Sequence, residues 1–318
     1  MSDGRYYMTN RIKELLLITL LAAAFSGPTL SIANDSLPTF TLSPESTTEM
    51  RASFTKIDYQ WPKLHKGVPP LYVENIPEDI SHAVSTRIKK QTFFMALLPM
   101  VLMANEEVRK ERAEAIDLLQ RFTNKALNKL DIQRLTDIAK RYGLKNTPPS
   151  SKTFTVELLR RIDEIPPSLV LAQAANESAW GTSRFAQQAK NLFGEWTFIP
   201  GSGIVPKGRP DGATYEVRRF DSLHSSIRSY MNNLNSHRAY RYFRTIRADM
   251  RNKGIPFDGL KLAEGLQKYS ERGQDYVRDI QAIISYNALS NVNKAFLRKS
   301  SDNLLAMSEF FSGRLQTN

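Results

Sequence analysis

PPSLVLAQAANESAWGTSRFAQQAKNLFGEW, residues Pro166 to Trp196, is the stretch on which the reading of the chain turns. Pro166 and Pro167 cannot continue an earlier helix but can open a new one, because proline is tolerated in a first turn. The run that follows, SLVLAQAANES from Ser168, is rich in helix formers and contains no glycine. Gly181 supplies a stop. The result is about three turns of nearly uncharged helix, and a helix apolar on most sides is a buried one. Its one ionisable residue, Glu177, falls near the C-terminal end.

Two effects at that place disfavour a carboxylate. The C-terminal end of a helix carries partial negative charge, and apolar neighbours such as Val170, Ala174, Trp180 and Phe193 would withhold solvation. A Glu so placed suits a general acid that must hold its proton. The residues equally allow a plain ion pair with Arg184 or Lys190 at a helix end.

The segment LAQAANESAWGTSRFAQQAKNLFG resembles the signature of the bacterial glucosaminidase family, which includes flagellar rod-cap muramidases and cell-wall autolysins. An apolar helix leads to E-S-x-W-G (Glu177, Ser178, Trp180, Gly181) and, about ten residues on, to N-L-F-G (Asn191, Leu192, Phe193, Gly194). The resemblance covers roughly Phe154 to Ala288. Over its whole length the chain looks like the enterobacterial Bax-type proteins of that family. The resemblance implies a mainly α, lysozyme-like α+β fold with a small antiparallel β-hairpin wing beside the catalytic helix. It also implies a peptidoglycan hydrolase that cleaves the glycan strand as a β-N-acetylglucosaminidase. Glu177 is then the general acid, and no metal or organic cofactor is implied.

Composition bounds the alternatives. The chain has 318 residues, of which 41% are hydrophobic and 24% charged, an ordinary globular balance. It has no cysteine for a disulfide, a thiol nucleophile, a cysteine–zinc site or a lipid anchor. Its four histidines, His65, His82, His224 and His237, have no ligand spacing. The net charge of +12 and pI near 9.7 would attract any polyanion: nucleic acid, anionic membrane or cell-wall polymer. The richest basic stretch, Arg238 to Arg251, interleaves Tyr240, Tyr242 and Phe243, which can stack on bases or on sugar faces alike. An address decides between them. Residues 1–33 read as a secretory signal, with Arg11 and Lys13 before an apolar run from Leu15 to Phe25 and Ser31-Ile32-Ala33 as a cleavage site. The expected location is the periplasm, with an uncleaved N-terminal anchor as the alternative. Peptidoglycan glycan strands are then the expected partner, with no nucleic acid and no stable membrane span after signal cleavage.

The rest of the chain divides by texture. Residues 34–76 read as a linker and extended segment: Asn34 to Thr55 is polar and flexible, and Lys56 to Ile76 is directed by Pro62, Pro69 and Pro70. Residues 77–150 form an N-terminal helical region. Its run FFMALLPMVLM, Phe93 to Met103, is too short to cross a bilayer and reads as a core helix, kinked or divided at Pro99. Residues 151–290 form the catalytic domain. Within it Glu195–Ile199 and Tyr215–Phe220 alternate as strands of a hairpin with a long glycine- and proline-rich connection. Residues 291–318 form a polar tail.

Glycoside cleavage needs a proton for the leaving oxygen and help for the charge developing on the sugar. By resemblance the helper is a second Glu on the hairpin. Glu216 is the first choice and Glu195, beside N-L-F-G, the second. The chain departs from the family here, since Glu195-Trp196 stands where an apolar–basic pair is usual. Trp180, Asn191 and Phe193 are candidate substrate contacts. Tyr269 matches a cleft tyrosine in the family's closing motif, LQKYSERGQDYVRDI, and Tyr276 lies further along. A lytic transglycosylase, which cuts at the muramic acid residue, and a non-catalytic wall-binding protein are the alternatives.

Overall fold

The computed structural model describes residues 39–145 and 147–299. The segment read as a signal, residues 1–33, and the last part of the tail lie outside the described residues. Helices dominate the remainder and pack around one hydrophobic core that draws on residues from Leu42 to Val292.

The longest helix, α2 (Thr86–Thr123), is preceded by β1 (Phe40–Leu42), α1 (Thr47–Lys56) and β2 (Leu71–Val73). Strands β1 and β2 pair in parallel, Phe40 opposite Leu71 and Leu42 opposite Val73. This corrects the linker reading. Ser46 caps α1 by accepting from the Glu49 amide, and Met50 and Phe54, one turn apart, are fully buried. The polar residues that suggest a flexible segment are a cap and one solvated face.

Helix α2 corrects one of the two expectations for Pro99: the helix is not divided there but continues through it. A proline in a helix interior deprives the carbonyl four residues earlier of its donor. That carbonyl belongs to Met95, and the buried Tyr59 hydroxyl donates to it at 3.1 Å. Phe93 to Asn105 is buried throughout, so the apolar run is core. Among the described residues no helix is long and apolar enough to cross a membrane. Helix α3 (Lys129–Arg141) is closed by a capping box between Asn128 and Asp131, so the cap sits three residues before Asp131.

Helices α4 (Phe154–Arg161) and α5 (Pro167–Glu177) follow, then the short α6 (Arg184–Ala189). The wing has three strands, β3 (Trp196–Thr197), β4 (Gly203–Ile204) and β5 (Glu216–Arg218), in the order β3-β5-β4. Both outer strands are antiparallel to β5, with Trp196 and Ile204 each opposite Val217. The long connection therefore contributes a strand of its own. Gly203 lets it in: a Cβ there would stand 2.3 Å from the Val217 carbonyl oxygen. Helices α7 (Leu223–Ser236), α8 (Arg241–Asn252), α9 (Gly259–Ala263) and α10 (Gln274–Tyr286) complete the body. The start of the tail is tied down as well. Val68 bridges Leu297, and the Arg298 guanidinium donates to the Gly67 and Ile57 carbonyls.

Candidate active site

Helix α5 is buried from Pro167 to Ala175 and ends at Glu177, half-exposed. Its end is a Schellman-type turn in which the Trp180 amide donates to the Ala175 carbonyl. Ala179, Trp180 and Gly181 all have positive φ, at 51°, 62° and 80°. The left-handed turn thus begins two residues before the glycine, and each non-glycine residue there costs roughly 1–2 kcal/mol. The Ser178 hydroxyl holds the turn, donating to the Ala174 carbonyl at 2.6 Å and accepting from the Gly181 amide at 2.8 Å. Gly181 is needed twice over, since a Cβ would stand 2.8 Å from Ile76 Cδ1.

A directional chain of hydrogen bonds ends on Glu177. The Tyr230 hydroxyl donates to Gln173 Oε1, Gln173 Nε2 donates to the Tyr276 hydroxyl at 2.8 Å, and Tyr276 donates to Glu177 Oε1 at 2.7 Å. Asn176 Nδ2 donates to the same oxygen at 3.1 Å. Gln173, Tyr230 and Tyr276 are essentially solvent-free. Burial, then the charge of Glu177, raises the Tyr276 hydroxyl far above the usual tyrosine range, and burial does the same for Tyr230. Both remain neutral donors at physiological pH, and such chains reinforce one another in a low dielectric. Oε1 accepts twice, and among the described residues no hydrogen bond falls on Oε2. The ion-pair alternative is not realised: Arg184 donates to the Val205 carbonyl and Lys190 to the Asp221 carbonyl.

The other candidates separate by what they touch. Glu216 is buried, and its two oxygens accept the Gly201 and Gly203 amides at 3.0 and 2.8 Å. The Gly201 amide is the main reason its carboxyl lies below the usual range. Both oxygens are committed to holding β4 in the wing. Glu195 differs. One oxygen accepts from Ser229 Oγ at 2.7 Å with Arg218 Nη1 at 3.6 Å, and the other is buried without a partner. Burial raises its carboxyl above the ordinary range against the opposing pull of Ser229 and Arg218. The Tyr240 hydroxyl, pushed up to about 12 by burial foremost, also feels both Glu177 and Glu195.

Asn191 is buried, and its amide binds both backbone groups of Glu195, the Arg218 carbonyl and the Phe193 amide. It builds the N-L-F-G turn and has no capacity left for a ligand. Trp180 packs edge-on to Phe93 and Phe94 of α2 at 6.0 and 5.3 Å, with Lys90 Nζ 4.7 Å above its ring. Phe193 is buried and stacks on Tyr230 at 3.9 Å. Both rings brace the site from behind. Tyr269 stacks on Tyr276 at 5.3 Å and donates to the Phe193 carbonyl at 3.2 Å. Sequence reasoning missed Gln173, Tyr230, Tyr240 and Ser229. Gln173 carried a signal, as a polar residue one turn before Glu177 in an otherwise apolar helix. It also missed the pair of Trp196, 55% exposed, stacked on Tyr215 at 4.2 Å, an aromatic face on the wing beside Glu195.

A carboxyl at the end of a buried helix, with a neutral hydrogen-bond chain behind it and a second carboxyl on the β-wing, is an arrangement suited to proton transfer. The comparisons agree. The glucosaminidase family model, described as mannosyl-glycoprotein endo-beta-N-acetylglucosaminidase, matches residues 155–289. The chain is 33% identical to Protein bax of Escherichia coli strain K12 over 191 residues. That match covers 59% of this chain and 66% of the relative, just under two thirds of its length. No solved structure matches. Residues 155–289 thus resemble the glucosaminidase family, and over 59% of its length the chain is similar to a Bax-type protein.

Proposed function

We propose that the protein is a periplasmic peptidoglycan hydrolase that cleaves the glycan strand on the reducing side of N-acetylglucosamine, with Glu177 as general acid. The observation that carries this reading is the Tyr276–Glu177 hydrogen bond at 2.7 Å. It fixes one carboxyl oxygen and leaves the other free to protonate a glycosidic oxygen, which is the geometry general acid catalysis needs. Glu195 is the helper carboxylate in this reading, because Glu216 is committed to backbone amides and Glu195 has an unpartnered oxygen. Trp196 and Tyr215 offer an aromatic face to a sugar ring. The reading of residues 1–33 as a secretory signal supports the periplasmic address.

The test is digestion of purified peptidoglycan by wild type and by Glu177→Gln, with mass spectrometry of the released ends. Fragments ending in reducing N-acetylglucosamine from wild type alone are expected. Anhydro-muramic ends would mean a lytic transglycosylase instead. Binding without release by either protein would mean a wall-binding protein.

A further inference from the structure

The arginines and lysines near the site are mostly spent. Arg244 and Arg247 are buried, and they donate to the carbonyls of Leu234 and His237 and of Asp163 and Glu164 respectively. Arg161 donates to the Tyr142 and Ser236 carbonyls, and Arg251 pairs with Asp163. The basic stretch from Arg238 to Arg251 is thus largely internal structure, and not the polyanion surface its composition suggests.

Three cations are different. Arg238, Arg241 and Lys268 are exposed, and among the described residues their side chains make no hydrogen bond or ion pair. All three line one pocket of about 420 Å³ with Tyr242 and Thr245. Its floor is Gly265, where a Cβ would stand 2.4 Å from Phe243 Cα, so only glycine lets the two segments meet there. The nearby acids are already engaged, Glu264 with Lys261 and Glu157 with Arg160. Three unpaired cations round one concavity form an anion site by Coulomb's law, and Arg offers the fork that fits a carboxylate. Tyr242, 55% exposed, adds an aromatic face.

The pocket backs onto the candidate active site. Arg241 and Lys268 are the chain neighbours of Tyr240 and Tyr269. Those two rings lie 6.0 Å apart, and Tyr269 stacks on the Tyr276 that holds Glu177. Successive ring contacts of Tyr240, Tyr269 and Tyr276 thus link the chain segments that line the pocket to Glu177.

We propose that this pocket is a carboxylate-binding subsite that holds the stem-peptide carboxylates of the glycan strand. The inference rests on the glycan reading given under Proposed function and adds the chemistry that would select peptide-bearing strands over neutral ones.

The test compares Glu177→Gln with the same protein carrying Arg238→Gln, Arg241→Gln and Lys268→Gln, all exposed changes. Calorimetry measures binding of peptide-bearing glycan fragments, of the same fragments with their carboxyls converted to amides, and of neutral chito-oligosaccharides. Glu177→Gln should prefer the carboxyl-bearing fragments by roughly tenfold, the worth of one charge-assisted contact. The further substitutions should erase that preference and leave chito-oligosaccharide affinity unchanged. Equal binding of amidated and free fragments overturns the proposal, as does a preference that survives the substitutions. Cleavage by otherwise wild-type protein separates the two failures. If peptidoglycan is still cut while the preference is absent, only the subsite falls; if nothing is bound or cut, the glycan reading falls with it. Binding to phosphatidylglycerol vesicles that alone depends on the three cations would overturn the subsite in favour of a membrane surface.

Discussion

The two ends of helix α5 are built in opposite ways. At the N-terminal end, the backbone that leads into Pro166 is met group by group. Arg247 and Asn235 donate to the Asp163 carbonyl, Arg247 to the Glu164 carbonyl, and Asn105 both donates to and accepts from Ile165. The Ser168 amide donates to Asn293. At the C-terminal end, two non-glycine residues are held at positive φ, and among the described residues one oxygen of the Glu177 carboxyl has no hydrogen bond. Strained backbone persists only where its surroundings over-determine it. Here the anchored end and the packed flank of α2 supply that determination, and the strained end presents the Glu177 carboxyl.

The contrast can be broken from either side. The largest effect is expected from Glu177→Gln, which should lower the rate of reducing-end release by about 10²–10⁴-fold and leave the urea unfolding midpoint essentially unchanged. At the other end, Arg247→Met should leave several carbonyls buried and unpaired. A loss of about 3–5 kcal/mol is expected in equilibrium urea unfolding, with turnover per folded molecule retained. A midpoint close to wild type would show that the anchored end is not where the stability resides. Gly181→Ala tests the strained turn itself. A Cβ at φ +80°, 2.8 Å from Ile76 Cδ1, should cost about 2–3 kcal/mol, and the lost turn geometry should lower activity more than stability alone explains.

The smallest effect repeats the contrast within the wing, between Glu195 and Glu216. The folded state raises the Glu195 carboxyl, chiefly through burial. Wild type therefore loses stability as pH rises through the ordinary Glu range toward that raised value. Glu195→Gln should melt higher than wild type at neutral pH, with the gain fading below about pH 4. Glu216 has the opposite sign. Its carboxyl is lowered, first by the Gly201 amide, so its contribution is present above the ordinary range and lost as pH falls through the lowered value. Glu216→Gln should melt lower at neutral pH and match wild type in strong acid. Melting curves of both variants across pH check the pair, and shifts of the same sign would remove the distinction on which the choice of Glu195 rests.

Much of this was legible in advance where the signal was local. The bounds of α5, the position of Glu177 at its end and the burial of Phe93 to Met103 follow from helix formers, breakers and a run of apolar residues. The wing was legible as a hairpin through the alternation of Tyr215–Phe220. Its third strand was not, because Gly203–Ile204 has no alternation long enough to read. Residues 39–76 were misread for a related reason: the partners that order them, Thr92 and Met95 on α2 and Arg298 near the tail, are distant in sequence.

Sequence by itself determined the helix, its terminal carboxyl and the likeness to the glucosaminidase family, because these depend on residue types at fixed short spacing. Tertiary structure alone decided what each side chain is for. Asn191 and Glu216 are consumed by backbone groups, Trp180 turns toward α2, and Tyr276 reaches Glu177 from 99 residues away. The physical reason is polar satisfaction: a buried donor or acceptor takes whatever partner the packed chain brings to it, and spacing along the sequence does not say which partner that will be.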